Sequence, residues 1–307
     1  MSIPDSQWME DLRAPTFAIA YRMLGSVAEA EDVVQETLLR VHRALVDDQQ
    51  IESLRGYAAT VATRLAIDHL RSARVRRETY VGDWLPEPIV TDPAADPARQ
   101  AEMADSLSLA FLVLLESLSP EQRAALLLHD VFVYGYDEIA EILGTSEANA
   151  RQLATRARRH VDERRPRFEV AREQRDKLAQ RFFAAARDGD LAGLQALLAQ
   201  DVVLRGDGGG RVPALARSLH GRGRVARTLI AWARQGIERG GGSIRAVEVN
   251  GQPGTLLLDR DGGLVGVMAL DIANGQVQGV SSIVNPEKLG HLGRVGEMRS
   301  LLGRREG

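Results

Sequence analysis

The 307-residue chain contains no cysteine, which rules out a disulfide framework and any thiolate metal site and suits a reducing compartment. Lysine is almost missing as well: Lys177 and Lys288 stand alone, and every other basic residue is arginine or histidine. No stretch approaches the roughly 20 consecutive apolar residues that a membrane span needs. The first residues, MSIPDSQWMED, are acidic and unlike a signal peptide. A soluble, cytoplasmic protein with no membrane partner is expected. A strong charge of one sign is also lacking. The formal net charge is -3, too little for binding nucleic acid by bulk electrostatics, so any such contact must be local or assisted by a partner. What is present in quantity is apolar material, 44% of the residues, enough for two or three domains with real cores.

The most informative segment is Tyr136 to Val161, YDEIAEILGTSEANARQLATRARRHV. Ile139, Ala140 and Leu143 form an apolar seam, Gly144 ends the first helix, and Ser146 is placed to cap the second. Two short helices around a tight turn make a helix-turn-helix. In the second helix Ala150, Leu153, Ala154, Ala157 and Val161 share one face. Gln152, Thr155, Arg156 and Arg159 share the opposite one, flanked by Arg151 and Arg158. That outer face carries the groups that hydrogen-bond base edges and phosphates. A solvated, arginine-rich helical hairpin is the plainer alternative.

Residues 8 to 76 are helical by pattern. After Gly25, AEAEDVVQETLLRVHRAL places Ala30, Val34, Leu38, Val41 and Leu45 on one face and Asp32, Glu36, Leu39 and Arg43 on the other. Leu39 is expected to stand exposed among charges, either as an ordinary surface leucine or as the anchor for a protein partner. The next helix, SLRGYAATVATRLAIDHLRSARVRRE, is apolar through Tyr57, Ala58, Val61, Ala62, Leu65, Ala66 and Leu70. Thr60, Thr63, Arg64, Asp68, Arg71 and Arg74 gather on its remaining arc, as a solvated surface or as a second nucleic-acid contact. Residues 78–101 contain Pro86, Pro88, Pro93 and Pro97, so a linker without regular structure is expected there. Within it Trp84, Leu85, Pro86, Glu87 and Pro88 are apolar enough to dock onto a domain. The block that follows contains SLSPEQRAALLLHDV, where Ser119 caps a helix with Pro120 at its first position, and it ends in the helix-turn-helix. Glu163 to Arg175 is expected to continue as a connecting helix.

From Asp176 the pattern changes. KLAQRFFAAARDGDLAGLQALLAQDVVL reads as two helices leading into a strand at Val202 to Leu204, followed by a Gly-rich turn at Asp207 to Arg211 and a helix around Arg224 to Arg234. Strand-like runs follow at Ile244 to Val249, Thr255 to Leu258, Leu264 to Ile272, with period-2 character, and Val277 to Ile283. Asn250-Gly251, Asp261-Gly262 and Asn274-Gly275 separate them as antiparallel hairpins. An α+β domain with a curved antiparallel sheet is expected. Beyond Leu289 the tail reads as a short amphipathic helix at best.

This order of parts resembles the extracytoplasmic-function sigma factors of bacterial RNA polymerase over about residues 8 to 165, through the DVVQETLLR helix and the helix-turn-helix. The C-terminal part resembles a SnoaL-like domain, the cone-shaped α+β fold of ketosteroid isomerases and polyketide cyclases. A sigma subfamily with that extension shows a WLPEP linker, a DGGGR turn and an NPDKL-like segment. Here these stand as Trp84 to Pro88, as Asp207, Gly208, Gly209, Gly210 and Arg211, and as Asn285, Pro286, Glu287, Lys288 and Leu289, with Glu287 the one departure. The resemblance implies a multidomain fold: region 2 at 1–77, the linker at 78–101, region 4 at 102–167, the SnoaL-like domain at 168–290 and a tail at 291–307. It assigns Asp32, Gln35, Glu36, Leu39 and Arg40 to the β-prime clamp helices of core RNA polymerase. It assigns Arg64, Asp68, Arg71 and Arg74 to the promoter's minus-ten element, whose flipped base would enter the loop at Asp47 to Ser53. Arg151, Gln152, Thr155, Arg156 and Arg159 are assigned to the minus-thirty-five element. The three motifs are implied to be interdomain and regulatory contacts.

Related cones move protons with a buried Asp or His. Asp201, Asp207, His220 and Asp271 are the candidates here, but they form no pair or triad that the sequence certifies, so no catalytic residue, metal or cofactor is expected. DGGGR reads better as a structural turn, and a small-molecule ligand in the cone's apolar cavity is a further partner the resemblance permits. The leading expectation is an alternative sigma factor with a fused modulator. Its rivals are a stand-alone helix-turn-helix regulator with a ligand-sensing domain, and a cyclase or isomerase with a helical extension.

Overall fold

The computed structural model describes residues 7–78, 80–91, 106–163, 172–240 and 242–298. The chain forms two compact units, one of residues 1–79 and 114–165, the other of residues 80–113 and 166–307. The Pro-rich stretch after residue 79 groups with the C-terminal half, as do residues 102–113 of the expected region 4, while residues 114–165 share one unit with the N-terminal helices.

In the first unit α1 (Gln7–Leu24), α2 (Val27–Val46) and α3 (Leu54–Glu78) form one helical module. Gly25 ends α1 at φ 67°, and the Ser26 hydroxyl accepts the Glu29 amide to start α2, so the reversal takes two residues. The buried face of α2 holds Ala30, Val33, Val34, Thr37, Val41 and Ala44. In α3 Thr63 is fully buried rather than on the outer arc expected for it, because Ala59, Ala62, Ala66 and Thr63 are all taken into the packed side. A helix α4 (Leu109–Leu115) carries the boundary between the units. Then come α5 (Pro120–Asp130), α6 (Tyr136–Leu143) and α7 (Glu147–Asp162). Ser119 and Gln122 make a reciprocal capping box at the start of α5. Gly144, left-handed at φ 63°, ends α6, and Ser146 caps α7. Ala150, Ala154 and Ala157 are fully buried, and small side chains at this spacing let α7 lie close on its neighbours.

In the second unit α8 (Arg172–Asp188), α9 (Leu191–Leu197) and α10 (Arg222–Gly240) accompany a seven-stranded sheet. Its strands are β1 (Val90–Thr91), β2 (Leu198–Asp207), β3 (Leu219–His220), β4 (Ser243–Val249), β5 (Gln252–Leu258), β6 (Leu264–Ala273) and β7 (Gln276–Ile283), in the order β1-β4-β5-β6-β7-β2-β3. The α+β cone is as expected, with three corrections. First, β2 pairs with β7 in parallel, so the sheet is antiparallel everywhere but there. Second, the Pro-rich stretch does contain a regular element, since Val90 and Thr91 pair with Val249 and Glu248 as an edge strand. Third, every residue of β6 is buried. Its period-2 pattern separates two apolar layers rather than core from solvent: Met268, Leu270 and Ile272 face the helices, while Val267 and Ala269 pack with Leu85, Leu109 and Leu289. Past Leu289 the chain makes a 3-10 turn at Gly290–Leu292, and Val295 bridges in parallel to Leu264; residues 299–307 of the tail expected as a short amphipathic helix lie outside the described residues.

Candidate functional site

On α2 the side chains of Asp32, Gln35 and Arg40 are exposed, Glu36 is half-buried, and Leu39 is 50% exposed in their midst. Their spacing of three and four places them on one side of the helix. The Arg40 Nε donates to Glu36 at 2.7 Å, which fixes part of a polar rim around an apolar centre.

On α3 Arg64 and Arg71 are exposed but occupied. Arg64 donates through Nε to the Ile142 carbonyl and through Nη2 to the Glu141 carbonyl, both at 2.9 Å, capping the end of α6 where cations are favoured. Arg71 donates to Glu121 at 2.8 Å, at the first turn of α5, and lies 3.5 Å from Asp68, which is itself exposed. The side chain of Arg74 lies outside the described residues. Two further arginines that the sequence reading passed over join the same modules. Arg123 of α5 is buried, donates to the Met23 carbonyl at 2.5 Å and the Leu115 carbonyl at 2.6 Å, and pairs with Glu116 at 2.9 Å. Arg22 of α1 is buried with its guanidinium 5.7 Å from the Phe132 ring. Desolvation pushes Arg123 down to about 9 and Arg22 down to about 10, so both remain charged at neutral pH. The available signal was a lone arginine within an apolar run for Arg22, AIAYRML, and at the head of one for Arg123, RAALLL.

On α7 Arg151, Gln152, Thr155, Arg156 and Arg159 are all exposed and share the outer face. Arg151 pairs with Glu147 at 2.6 Å, and its guanidinium lies 5.1 Å from the Tyr136 ring. The Thr155 hydroxyl donates to the Arg151 carbonyl at 2.8 Å. Arg158, beside them in sequence, is instead held by Asp130, whose carboxylate raises its pKa, so it braces α7 against α5.

The three motifs WLPEP, DGGGR and NPEKL meet one another inside the second unit. Asp207 is buried, and its carboxylate accepts from Tyr80 Oη at 2.5 Å, from the Leu85 amide at 2.9 Å and from Lys288 Nζ at 2.7 Å. Lys288, also buried, donates to the Leu85 carbonyl and lies 4.2 Å from the Trp84 ring centre. Leu85, Pro86 and Pro88 are buried and Glu87 half-buried. The Pro88 carbonyl is within 2.8 Å of His291 Nε2. Asn285 donates its amide to the Asp207 carbonyl at 3.0 Å and its Nδ2 to Tyr80 Oη at 3.0 Å. Gly209 sits at φ 58° where a Cβ would lie 2.3 Å from Asn285 Nδ2, so this turn requires glycine. Gly208 is buried and Gly210 exposed, Arg211 pairs with Glu287 at the surface at 2.7 Å, Pro286 opens the 3-10 turn and Leu289 is fully buried. Burial, and then the hydrogen bond to Asp207, keep the Tyr80 phenol protonated far above its usual range.

Of the candidate acids, Asp201 and His220 are exposed and Asp207 is bound in this node. Asp271 is buried on the sheet face away from the helices, accepts the Ala110 amide, and lies against Gly279, where a Cβ would come within 2.6 Å of its carboxylate. Desolvation pushes it up to about 6, against the opposing pull of Arg205 and the Ala110 amide. The folded protein therefore holds a proton that the unfolded chain releases near its ordinary pKa of about 3.9. The resulting stability is full below about pH 4 and is lost as pH rises through about 6, about 3 kcal/mol in all. Asp271→Asn should remove that slope from urea unfolding profiles across this window, and a slope equal to that of the parent would assign it to another group.

Residues 8–76 match the family Sigma-70 region 2, and residues 108–161 match Sigma-70, region 4. The chain is 38% identical over 295 residues to the ECF RNA polymerase sigma factor SigJ of Mycobacterium tuberculosis, covering 91% of each protein. It is 33% identical over 280 residues to the probable ECF RNA polymerase sigma factor SigI of the same species, covering 90% of this chain and 92% of that one. The crystal structure of Mycobacterium tuberculosis SigJ superposes with a TM-score of 0.74 at 34% identity, over 93% of this chain and 98% of that one. With both sigma regions and the C-terminal unit spanned by these relatives, the chain belongs to the extracytoplasmic-function sigma factors, the subunits with which RNA polymerase initiates transcription at chosen promoters.

Proposed function

We infer that α2 docks on the β-prime clamp helices of core polymerase, with Leu39 as the apolar anchor and Asp32, Gln35, Glu36 and Arg40 as its rim. In the same reading Arg64, Asp68, Arg71 and Arg74 meet the minus-ten element, with the loop at Asp47 to Ser53 receiving a flipped base. Arg151, Gln152, Thr155, Arg156 and Arg159 meet the minus-thirty-five element in the major groove. The protein works in the cytoplasm without cofactor or catalytic step, and its C-terminal unit is a tethered modulator that takes a small molecule in its apolar cavity.

The observation that carries this reading is the engagement of Arg64 and Arg71 by the helix-turn-helix module. The minus-ten and minus-thirty-five elements lie about 25 base pairs apart, roughly 85 Å of duplex at 3.4 Å per step. Modules that grip one another through these arginines do not reach both elements together, so this arrangement is a closed state. Promoter binding exchanges carbonyl and carboxylate partners for phosphates, and the node of Asp207 and Lys288 tunes how readily that exchange occurs.

Transcription in vitro with purified core polymerase and genomic promoter fragments tests the reading. The full-length protein should direct initiation at discrete start sites, and Asp207→Ala should change the yield there several-fold at unchanged helix content. Absence of start sites, together with tight binding of the free protein to duplex DNA, would overturn promoter selection as its role. Equal yields from Asp207→Ala and the parent would reduce the three motifs to scaffold.

A further inference from the structure

Residues 208–237 of the second unit carry six arginines and no carboxylate, and the next longest acid-free interval of the chain, residues 12–28, is little more than half as long. This excess stands in a protein whose formal net charge is -3. The fold gathers most of it in one place: edge strand β3 ends at His220, Gly221 turns the chain at φ 89°, and α10 begins at Arg222. Arg217, His220, Arg222, Arg224 and Arg227 are thereby brought together, and all are exposed. Arg224, Arg227 and Arg234 share one exposed strip of α10, roughly 15 Å from end to end at 1.5 Å per residue. Arg211 is taken by Glu287, but among the described residues no ion pair holds Arg217, Arg222, Arg224 or Arg227. The acids at the border are Asp83, which accepts the Ser218 hydroxyl at 2.7 Å, and Asp201 on β2, two positions before the residue that pairs with His220. Protection of a sheet edge by charge accounts for Arg217 and His220. It does not account for the helix, whose first turn sets cations against the positive end of its dipole with no acidic residue among them.

We propose that this patch holds the phosphate backbone of duplex DNA, a contact to promoter flanks made by the C-terminal unit itself and separate from those of the two sigma regions. Over roughly 15 Å a duplex presents about nine phosphates, enough for every guanidinium of the strip. Residues 208–237 contain no asparagine and a single glutamine, Gln235, so the patch grips backbone without reading bases. None of the large apolar side chains that stand exposed among the described residues belongs to this interval. A protein partner or a membrane surface needs such an anchor, and a polyanion does not. At 0.1 M salt charges are screened over about 10 Å, so acidic residues elsewhere on the protein leave the patch attractive to a duplex that touches it.

The test follows the anisotropy of a labelled random-sequence duplex with the full-length protein across a salt series. A variant combining Arg222→Gln, Arg224→Gln and Arg227→Gln should bind roughly tenfold or more weakly at low salt. Its slope of log affinity against log salt should flatten by about 2 to 3, near 0.9 for each phosphate contact removed. Lysine at the same three positions keeps the charge and should keep the parent's slope. With reconstituted holoenzyme, the glutamine variant should lose initiation several-fold on a promoter fragment that carries flanking duplex, and match the parent on one trimmed to its two consensus elements. Unchanged affinity and slope at a normal unfolding midpoint overturn the contact. A loss that lysine does not restore overturns it as well, because charge is then not the cause. Weakened binding to phosphatidylglycerol vesicles with duplex binding intact would make the patch a membrane contact instead, and initiation equal to the parent's on the flanked fragment would remove it from the promoter. Arg156→Gln with Arg159→Gln is the control: if that pair leaves duplex affinity unchanged while the α10 variant weakens it, the minus-thirty-five assignment fails and this contact stands.

Discussion

Replacing Lys288 with methionine is expected to destabilise the C-terminal unit by about 3 to 5 kcal/mol, the usual consequence of removing one partner from a buried ion pair. The lysine is 6% exposed and Asp207 1% exposed, so water does not take over the carboxylate when the ammonium is gone. Tyr80 and the Leu85 amide still donate to Asp207, but neither brings a charge. The Leu85 carbonyl loses the Lys288 donor at the same time, and Trp84 loses the cation beside its ring. Denaturant unfolding followed by tryptophan emission should therefore show both the loss of stability and a red shift of Trp84 in the folded baseline. Asp207→Asn combined with Lys288→Met should recover most of the loss, because it removes the orphaned charge as well. A single variant costing less than about 1 kcal/mol would put the pair in a far wetter setting than its burial implies.

Leu39→Asp is the second large effect. Leu39 is half exposed and outside the packed face of α2, so the variant should fold with a stability change within about 0.5 kcal/mol. At the centre of a polymerase contact, a buried carboxylate in place of an apolar anchor should cost about 2 to 4 kcal/mol, or roughly 30-fold to 1,000-fold in affinity. Association with core polymerase, measured by fluorescence anisotropy of labelled protein, is the direct readout. Binding within about twofold of the parent would remove α2 from the interface, since a hot spot is defined by the size of that loss.

The helix-turn-helix was legible because every signal in it is local. Gly144 and Ser146 mark the ends of two helices, and alanines at helical spacing identify the side that packs. Fold elements that depend on distant partners were not. Val90 and Thr91 form a strand only because β4 offers an edge, and nothing in a Pro-rich stretch announces that. The parallel pairing of β2 with β7 joins residues more than seventy positions apart, while the hairpins at Asn250-Gly251 and Asn274-Gly275 are written in two residues with positive φ.

The site residues divide in the same way. The outer face of α7 could be laid out from periodicity alone. That Arg64 and Arg71 would be held by carbonyl and carboxylate groups of another module could not, since both partners lie at least fifty residues away. Arg22 and Arg123 were passed over, since their partners Phe132 and Met23 lie about a hundred residues away in the chain. The fold buries both, binding Arg123 to backbone carbonyls and Glu116 and setting Arg22 against an aromatic ring. WLPEP, DGGGR and NPEKL were recognisable as motifs, but only the fold shows that one lysine and one aspartate join them.

The scarcity of lysine gives this node a chemical handle. Of the two side-chain amines in the sequence, Lys177 is exposed on α8 and paired with Glu173, and Lys288 is sealed between Asp207, the Leu85 carbonyl and Trp84. An acylating reagent meets the first at once and reaches the second only through molecules whose node has opened. The ratio of acylation at the two sites, read by mass spectrometry, is thus a clock for that opening, built into the native chain and needing no introduced label.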